Sequence, residues 1–173
     1  MTSVFAIFLL ALTTPNLTTE KEIDQFQEES INYLDTDLDQ AMEMIDHSIE
    51  EAQDIGYYYG EAYGLYLKAY INRVQDDLGK AFVVNLKALH AIQFLDDERA
   101  IDTKVRLYVN TGEILKKHFQ YKEAIQYYSE GLEIAKEHDL DEWVVNLTYN
   151  IGNAHRWLLN RPLRTSKWGV IGI

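Results

Sequence analysis

The 173-residue chain has no cysteine and only two prolines. Without cysteine there is no disulfide framework, no thiolate nucleophile, no CxxC redox pair and no cysteine-rich zinc site. Nowhere do 18 apolar residues run together, so nothing reads as a membrane-spanning helix. Basic residues are few: 16 Lys and Arg stand against 28 Asp and Glu, a net charge of −12. Duplex nucleic acid rewards a basic face, so this balance argues against that class of partner. With 47% hydrophobic and 25% charged residues, the chain is too apolar for disorder and long enough for one sizeable core.

The acidic excess is concentrated at one end. Residues 1–54 carry thirteen carboxylates and one lysine, whereas residues 55–173 carry fifteen charges of each sign. The plain reading is a solvated helical face. The sharper one is a terminus that repels anionic membranes and attracts basic partners.

Val4 to Leu12 (VFAIFLLAL) is a nine-residue apolar run closed by Thr13, Thr14 and Pro15. That length suits the apolar region of a secretory signal, with Ala11-Leu12-Thr13 as a small-x-small cleavage site, although no Lys or Arg precedes it. Residues 1–15 therefore read in one of two ways. As an export signal they place the protein in the periplasm or outside the cell; as a short N-terminal helix packed on the domain they leave it cytoplasmic. Asn16-Leu17-Thr18 and Asn146-Leu147-Thr148 match the glycosylation sequon, which matters only in a eukaryotic secretory setting.

From residue 22 onward the apolar residues recur at spacings of three and four, with no alternating pattern bounded by turn residues. Helices are expected near 22–34, 38–54, 57–74, 78–94, 98–117, 121–138 and 141–159. Asp37, Asp77, Asp97 and Asp141 stand at helix starts, where backbone N–H groups point outward. Gly56 is placed to end a helix in a left-handed cap. Short connections make successive helices antiparallel, giving seven helices in pairs.

A repeat runs through them. Ala41, Ala81 and Ala124 form one column, 40 and 43 residues apart. Seven residues later come Ser48, Ala88 and Gly131, then Ile49, Leu89 and Leu132, then Ala52, Ile92 and Ala135. Twelve residues before the alanine column stand Glu29, Ala69 and Gly112, with Gly152 a further 40 on; residues 107–112 (LYVNTG) are mirrored by 147–152 (LTYNIG). Small residues in two columns let the helices of a pair approach, and the large residue beside them fills the seam. Gly60 and Gly64 are read the same way, as close packing between helices.

This pattern resembles the tetratricopeptide repeat family. The third repeat carries the resemblance best, in Gly112, Leu115, Tyr121, Ala124, Tyr128, Gly131 and Leu132. The first departs from it, with Glu29 where a small residue belongs and Asn32 where an aromatic is usual, and the family's closing proline is absent. The resemblance covers residues 22–160. It implies an all-α fold, an α-solenoid of antiparallel helix pairs with three full repeats and the first helix of a fourth. The 40-residue period is similar to long-repeat variants in bacterial sensory proteins and peptide-binding scaffolds.

No catalytic or metal motif is present. His47, His90, His118, His138 and His155 make no HExxH or i,i+4 pair, and there is no P-loop, GxGxxG or GxSxG. Asp35, Asp37 and Asp39 lack the glycine and glutamate of a calcium loop. His155 shares a column with Leu115 and Asn72 and is expected to be partly buried. The expectation is a protein with no enzymatic activity, cofactor or metal.

What remains is surface. In the resembling family the first helix of each pair lines a concave groove. Counting from the small-residue column places Tyr66, Tyr70 and Arg73 there from the second repeat. The third gives Asn110, Glu113 and Lys116, and the fourth Tyr149, Asn150, Asn153 and Arg156. The resemblance implies asparagines that hold a peptide backbone and cations that hold its carboxylates. An asparagine suits that task because its amide both donates and accepts. Other roles stand beside these: a cation favours a helix C-terminus with no ligand involved, and an asparagine can bridge neighbouring helices. Two functions follow. One is an interaction module for a protein or peptide segment; the other is an exported sensory or regulatory domain cut from a longer signalling protein. Residues 161–173, an irregular tail, are too short for the fourth pair's missing helix. The expectation is a truncated array, or one completed by self-association through this end.

Overall fold

The computed structural model describes residues 15–160. These hold seven helices and, among the described residues, no strand: α1 Glu20–Ile31, α2 Leu38–Ile55, α3 Tyr58–Val74, α4 Leu78–Ile92, α5 Glu98–Lys117, α6 Tyr121–Glu137 and α7 Asp141–Leu159. The expected helix at 22–34 ends earlier, at Ile31, because residues 32–36 turn and Asp37 N–H closes on Tyr33 O at 2.8 Å.

Four helix starts are held by side chains. Thr19 and Glu22 form a reciprocal capping box at α1; Asp37, Asp77 and Asp97 accept from backbone N–H groups at α2, α4 and α5. Asp141 is not itself a cap. It is the first helical residue of α7, where its charge favours the positive end of the helix dipole.

Four of the six connections are one turn used repeatedly. Gly56, Asp76, Phe119 and Asp139 take left-handed backbone, with φ of 72°, 63°, 62° and 54°. In each case the next residue's N–H returns to the carbonyl five residues back: Tyr57 to Ala52, Asp77 to Asn72, Gln120 to Leu115 and Leu140 to Ala135, all at 2.8–2.9 Å. This closure satisfies end-of-helix carbonyls and sends the chain straight into the next helix. Only Gly56 has the residue type that announces it.

The repeat columns are the contact lines. Ala41, Ala81 and Ala124 are fully buried, as are Ala52, Ile92 and Ala135, and Ser48, Ala88 and Gly131 are buried between them. Gly60 and Gly64 meet neighbours as expected: a Cβ on Gly64 would lie 2.6 Å from Ile49 Cγ1. Glu29 and Gly152 are the exceptions in their column, both exposed, and among the described residues nothing lies within 4 Å of where a Gly152 Cβ would be. The core is a row of four apolar clusters along the stack, from Leu17 and Ile23 at one end to Leu147 and Ala154 at the other.

Each helix packs on the next. The odd helices also touch in sequence, α1 on α3, α3 on α5 and α5 on α7, whereas α2, α4 and α6 do not approach one another within 8 Å between Cα atoms. One layer is therefore tight and the other splayed. Buried Gln27 ties the first three helices, its Nε2 donating to Ser48 Oγ (3.1 Å) and to Gly60 O (2.8 Å).

Candidate binding groove

The tight layer opens into a groove of about 490 Å³. Asp24 and Glu28 of α1 form one wall, Tyr59 and Tyr63 of α3 the floor, and Arg99, Asp102 and Arg106 of α5 the other wall. Helical periodicity builds the floor. Tyr59, Tyr63, Tyr66 and Tyr70 recur at spacings of four, three and four and so share one stripe of α3. The Tyr59 and Tyr63 rings stack 5.9 Å apart at 6°, and Tyr66 tilts against Tyr63 at the same separation.

Ion pairs fix the walls. Arg99 donates from one guanidinium nitrogen to Asp24 Oδ2 (2.8 Å) and from the other to the Tyr57 hydroxyl (3.2 Å), while Tyr57 donates to Asp24 Oδ1 (2.8 Å). Its guanidinium lies 4.3 Å over the Tyr59 ring, so one side chain links α1, α3 and α5. The Asp24 hydrogen bond holds Arg99 firmly charged. Further along, Asp102 accepts from Arg106 Nε and from Trp143 Nε1, both at 2.6 Å, which joins α5 to α7. Burial pulls the Arg106 guanidinium toward neutrality, but Asp102 and the nearby Tyr66 hydroxyl outweigh it. Burial also raises the Tyr57, Tyr59 and Tyr63 hydroxyls, Tyr63 to about 12, so the floor is neutral at any physiological pH.

Both arginines are already committed to carboxylates. The groove therefore offers aromatic faces, neutral hydroxyls and the carboxylates of Glu28 and Glu98, an environment for aliphatic or cationic side chains.

The residues expected to line a groove fall into separate groups. Tyr66 borders it beside Arg106. Tyr70, Arg73 and Asn110 cluster beyond it: Arg73 lies 5.1 Å over the Tyr70 ring and donates to Asn110 Oδ1 at 2.6 Å. Asn110 is only 4% exposed, and its Nδ2 donates to Asn85 Oδ1 (2.9 Å). Asn85 in turn donates to Leu107 O and Thr111 Oγ1. The Asn110 amide therefore bridges α3, α4 and α5, with both of its ends bonded within the fold. Glu113 accepts from Lys116 (2.6 Å) and from the Tyr128 hydroxyl (2.7 Å). On α7, Tyr149 and Arg156 are exposed and Asn153 is half-buried, while Asn150 donates to Asn146 one turn back (2.9 Å). Among the described residues no hydrogen bond joins these four to α3 or α5.

Counting from the small column led to the C-terminal halves of α3 and α5, whereas the hollow lies nearer their N-terminal ends. Asp24, Glu28, Tyr59, Tyr63, Arg99, Asp102 and Arg106 were missed. The available signal was the tyrosine stripe, since six of the chain's twelve tyrosines lie between residues 57 and 70. The expected burial of His155 is not met; it is exposed, because no second helix covers that side of α7 among the described residues. Among those residues no three metal-ligating side chains cluster and no helix is long and apolar enough to cross a membrane. The expectations for residues 1–14 and 161–173 lie outside the described residues.

No protein-family model matches this chain, and no curated protein matches it.

Proposed function

We propose that this chain is a non-catalytic interaction module of tetratricopeptide-repeat type that holds a segment of another protein along α1, α3, α5 and α7. The observation that carries the reading is a groove assembled from three helices at once, floored by stacked Tyr59 and Tyr63. A tight odd layer and a splayed even layer are what an α-solenoid with the odd helices on its concave side would have, and they support that reading. Tyr66 and Tyr70 extend the aromatic floor, and Asn150 and Asn153 extend the surface along α7, whereas Tyr149 and Arg156 lie on the stripe of Gly152. Arg73, Asn110, Glu113 and Lys116 brace it from within. The tyrosine rings select aliphatic or cationic side chains in the bound segment.

Selection of peptides from a displayed random library on the purified protein tests the reading. The expected result is an enriched peptide whose binding is lost in Tyr59→Ala/Tyr63→Ala while the helical circular dichroism is unchanged. Equal binding by parent and variant would remove the groove from the function.

α7 has a second role in this proposal. Val145, Tyr149 and Leu159 are exposed beside Gly152, a face on which two copies of the chain would pair.

A further inference from the structure

The face opposite the tyrosine groove carries a larger hollow. α2 and α4 flank α3 without touching, and the trough between them has a volume of about 1270 Å³. Its lining is mainly apolar: Ile49 and Leu65 at the base, Val83, Leu86 and Phe94 along the α4 side. The last three are exposed, Phe94 by 87%, so the apolar surface faces solvent.

The two walls differ in charge. α2 carries six carboxylates and no lysine or arginine, and its Asp46 and Glu50 line the trough. Lys68 of α3 reaches Asp46, whereas Glu50 is exposed and has no ion pair among the described residues. The α4 wall carries Lys87 and His90. Between them α3 sets Glu61 and Lys68 on either side of Leu65, so the trough is apolar along the α4 side, acidic along α2 and weakly basic at Lys87 and His90.

We propose that this trough docks one amphipathic helix of a partner protein, apolar where it meets Leu65, Val83, Leu86 and Phe94, with Lys or Arg along the edge facing α2. This goes beyond the tyrosine groove and does not depend on it. An extended segment would lay its backbone N–H and C=O groups on an apolar floor that offers them no ladder, whereas a helix satisfies its own. Two turns of helix with side chains, roughly 11 Å across and 11 Å long, fill on the order of 1000 Å³, which matches the trough. Charge then fixes the orientation: the basic edge meets Glu50, since Asp46 is already paired with Lys68, and reversing the helix would set cations against Lys87.

The test uses two designed, fluorescently labelled helices with leucine at i, i+3, i+4 and i+7, one flanked by lysine and one by glutamate. Fluorescence anisotropy should show the lysine-flanked helix binding at least about ten-fold more tightly, with the difference shrinking at high salt. Leu86→Glu/Phe94→Glu should abolish binding, and Glu50→Lys should narrow the preference. Phe94→Ser alone should weaken binding at a position too exposed to matter for folding. Tyr59→Ala/Tyr63→Ala, which tests the other groove, should leave this binding unchanged. Equal binding of the two helices would overturn the proposal, as would indifference to every substitution in the trough or loss only in the tyrosine variant.

Discussion

Gly112 lies directly against the ring of Tyr128: a Cβ at position 112 would stand 2.2 Å from Cε1 of that ring. The contact sets the spacing of α5 and α6, and the Tyr128 hydroxyl completes it by donating to Glu113 at 2.7 Å, one residue beyond the glycine. Tyr128 is fully buried and cannot swing aside. Gly112→Ala should therefore destabilise the fold. The overpacking costs about 1–3 kcal/mol, more than the roughly 1 kcal/mol that alanine gains over glycine in a helix. Urea denaturation of the two proteins measures the difference. A more stable variant would mean that the helices separate freely and that this column does not fix the register.

The two asparagines that share a register should behave differently. Asn110→Ala leaves Arg73 and Asn85 without their partner inside the stack, at a cost of about 1–3 kcal/mol. Among the described residues Asn150 bonds only to Asn146 on its own helix, so Asn150→Ala should be neutral or slightly stabilising, alanine being the better helix former. Thermal melts of the two single variants separate these outcomes. Equal losses would show that Asn150 has a buried partner too.

These residues mark what the sequence made legible. Small side chains sit where helices touch, so Ala41, Ala81 and Ala124 marked contact lines, and the three-and-four spacing of apolar residues marked the seven helices. The same columns identified Gly152, which is exposed, because burial depends on the neighbouring helix and not on the residue itself. The left-handed turns at Asp76, Phe119 and Asp139 were hidden because none uses glycine; each is held by the hydrogen bond that closes the turn. The groove was only half legible. Tyr66 was reached by counting along a helix, but Arg99 meets Asp24 across 75 positions of sequence, a pairing no local pattern contains.

Phe119 adopts φ 62° with a side chain 65% exposed, in a conformation that costs a β-carbon residue roughly 1–2 kcal/mol. Asparagine tolerates that region and, unlike glycine, does not greatly loosen the unfolded chain. Phe119→Asn should raise stability by about 0.5–1 kcal/mol and raise Tm accordingly. A lower Tm would show that the edge contact between Phe119 and Tyr121 outweighs the backbone strain.

Stability should also depend on alkaline pH through Tyr63. Burial raises its hydroxyl from the ordinary value of 10 to about 12. The folded state then keeps a proton that the unfolded chain has lost, so stability falls as pH rises through this range. The contribution is fully present below pH 10 and is lost between 10 and about 12. Tyr63→Phe, which cannot ionise, should reduce the pH dependence across that window, leaving the part that comes from the other buried tyrosines such as Tyr57 and Tyr59. Denaturant midpoints at successive pH values for parent and variant provide the measurement. Parallel curves would mean that the Tyr63 hydroxyl is solvated in the groove.

The face of α7 that carries Val145, Tyr149, Gly152 and Leu159 corresponds to the face that α5 turns toward α6. Gly152 holds the place of Gly112, 40 residues earlier, but among the described residues nothing stands where its Cβ would meet a partner. Val145 is 71%, Tyr149 68% and Leu159 82% exposed. A glycine amid large apolar residues is a surface on which a second helix can lie close, and two α7 helices related by a two-fold axis present it to each other. The purified chain should therefore dimerise, with light scattering giving twice the monomer mass at micromolar concentration. Tyr149→Lys and Val145→Lys should each return it to the monomer with the helical signal unchanged, because neither side chain is buried within the chain. Gly152→Leu should do the same by blocking the close approach. A parent protein that is monomeric throughout, or a dimer indifferent to all three substitutions, would show that α7 does not join copies of this chain.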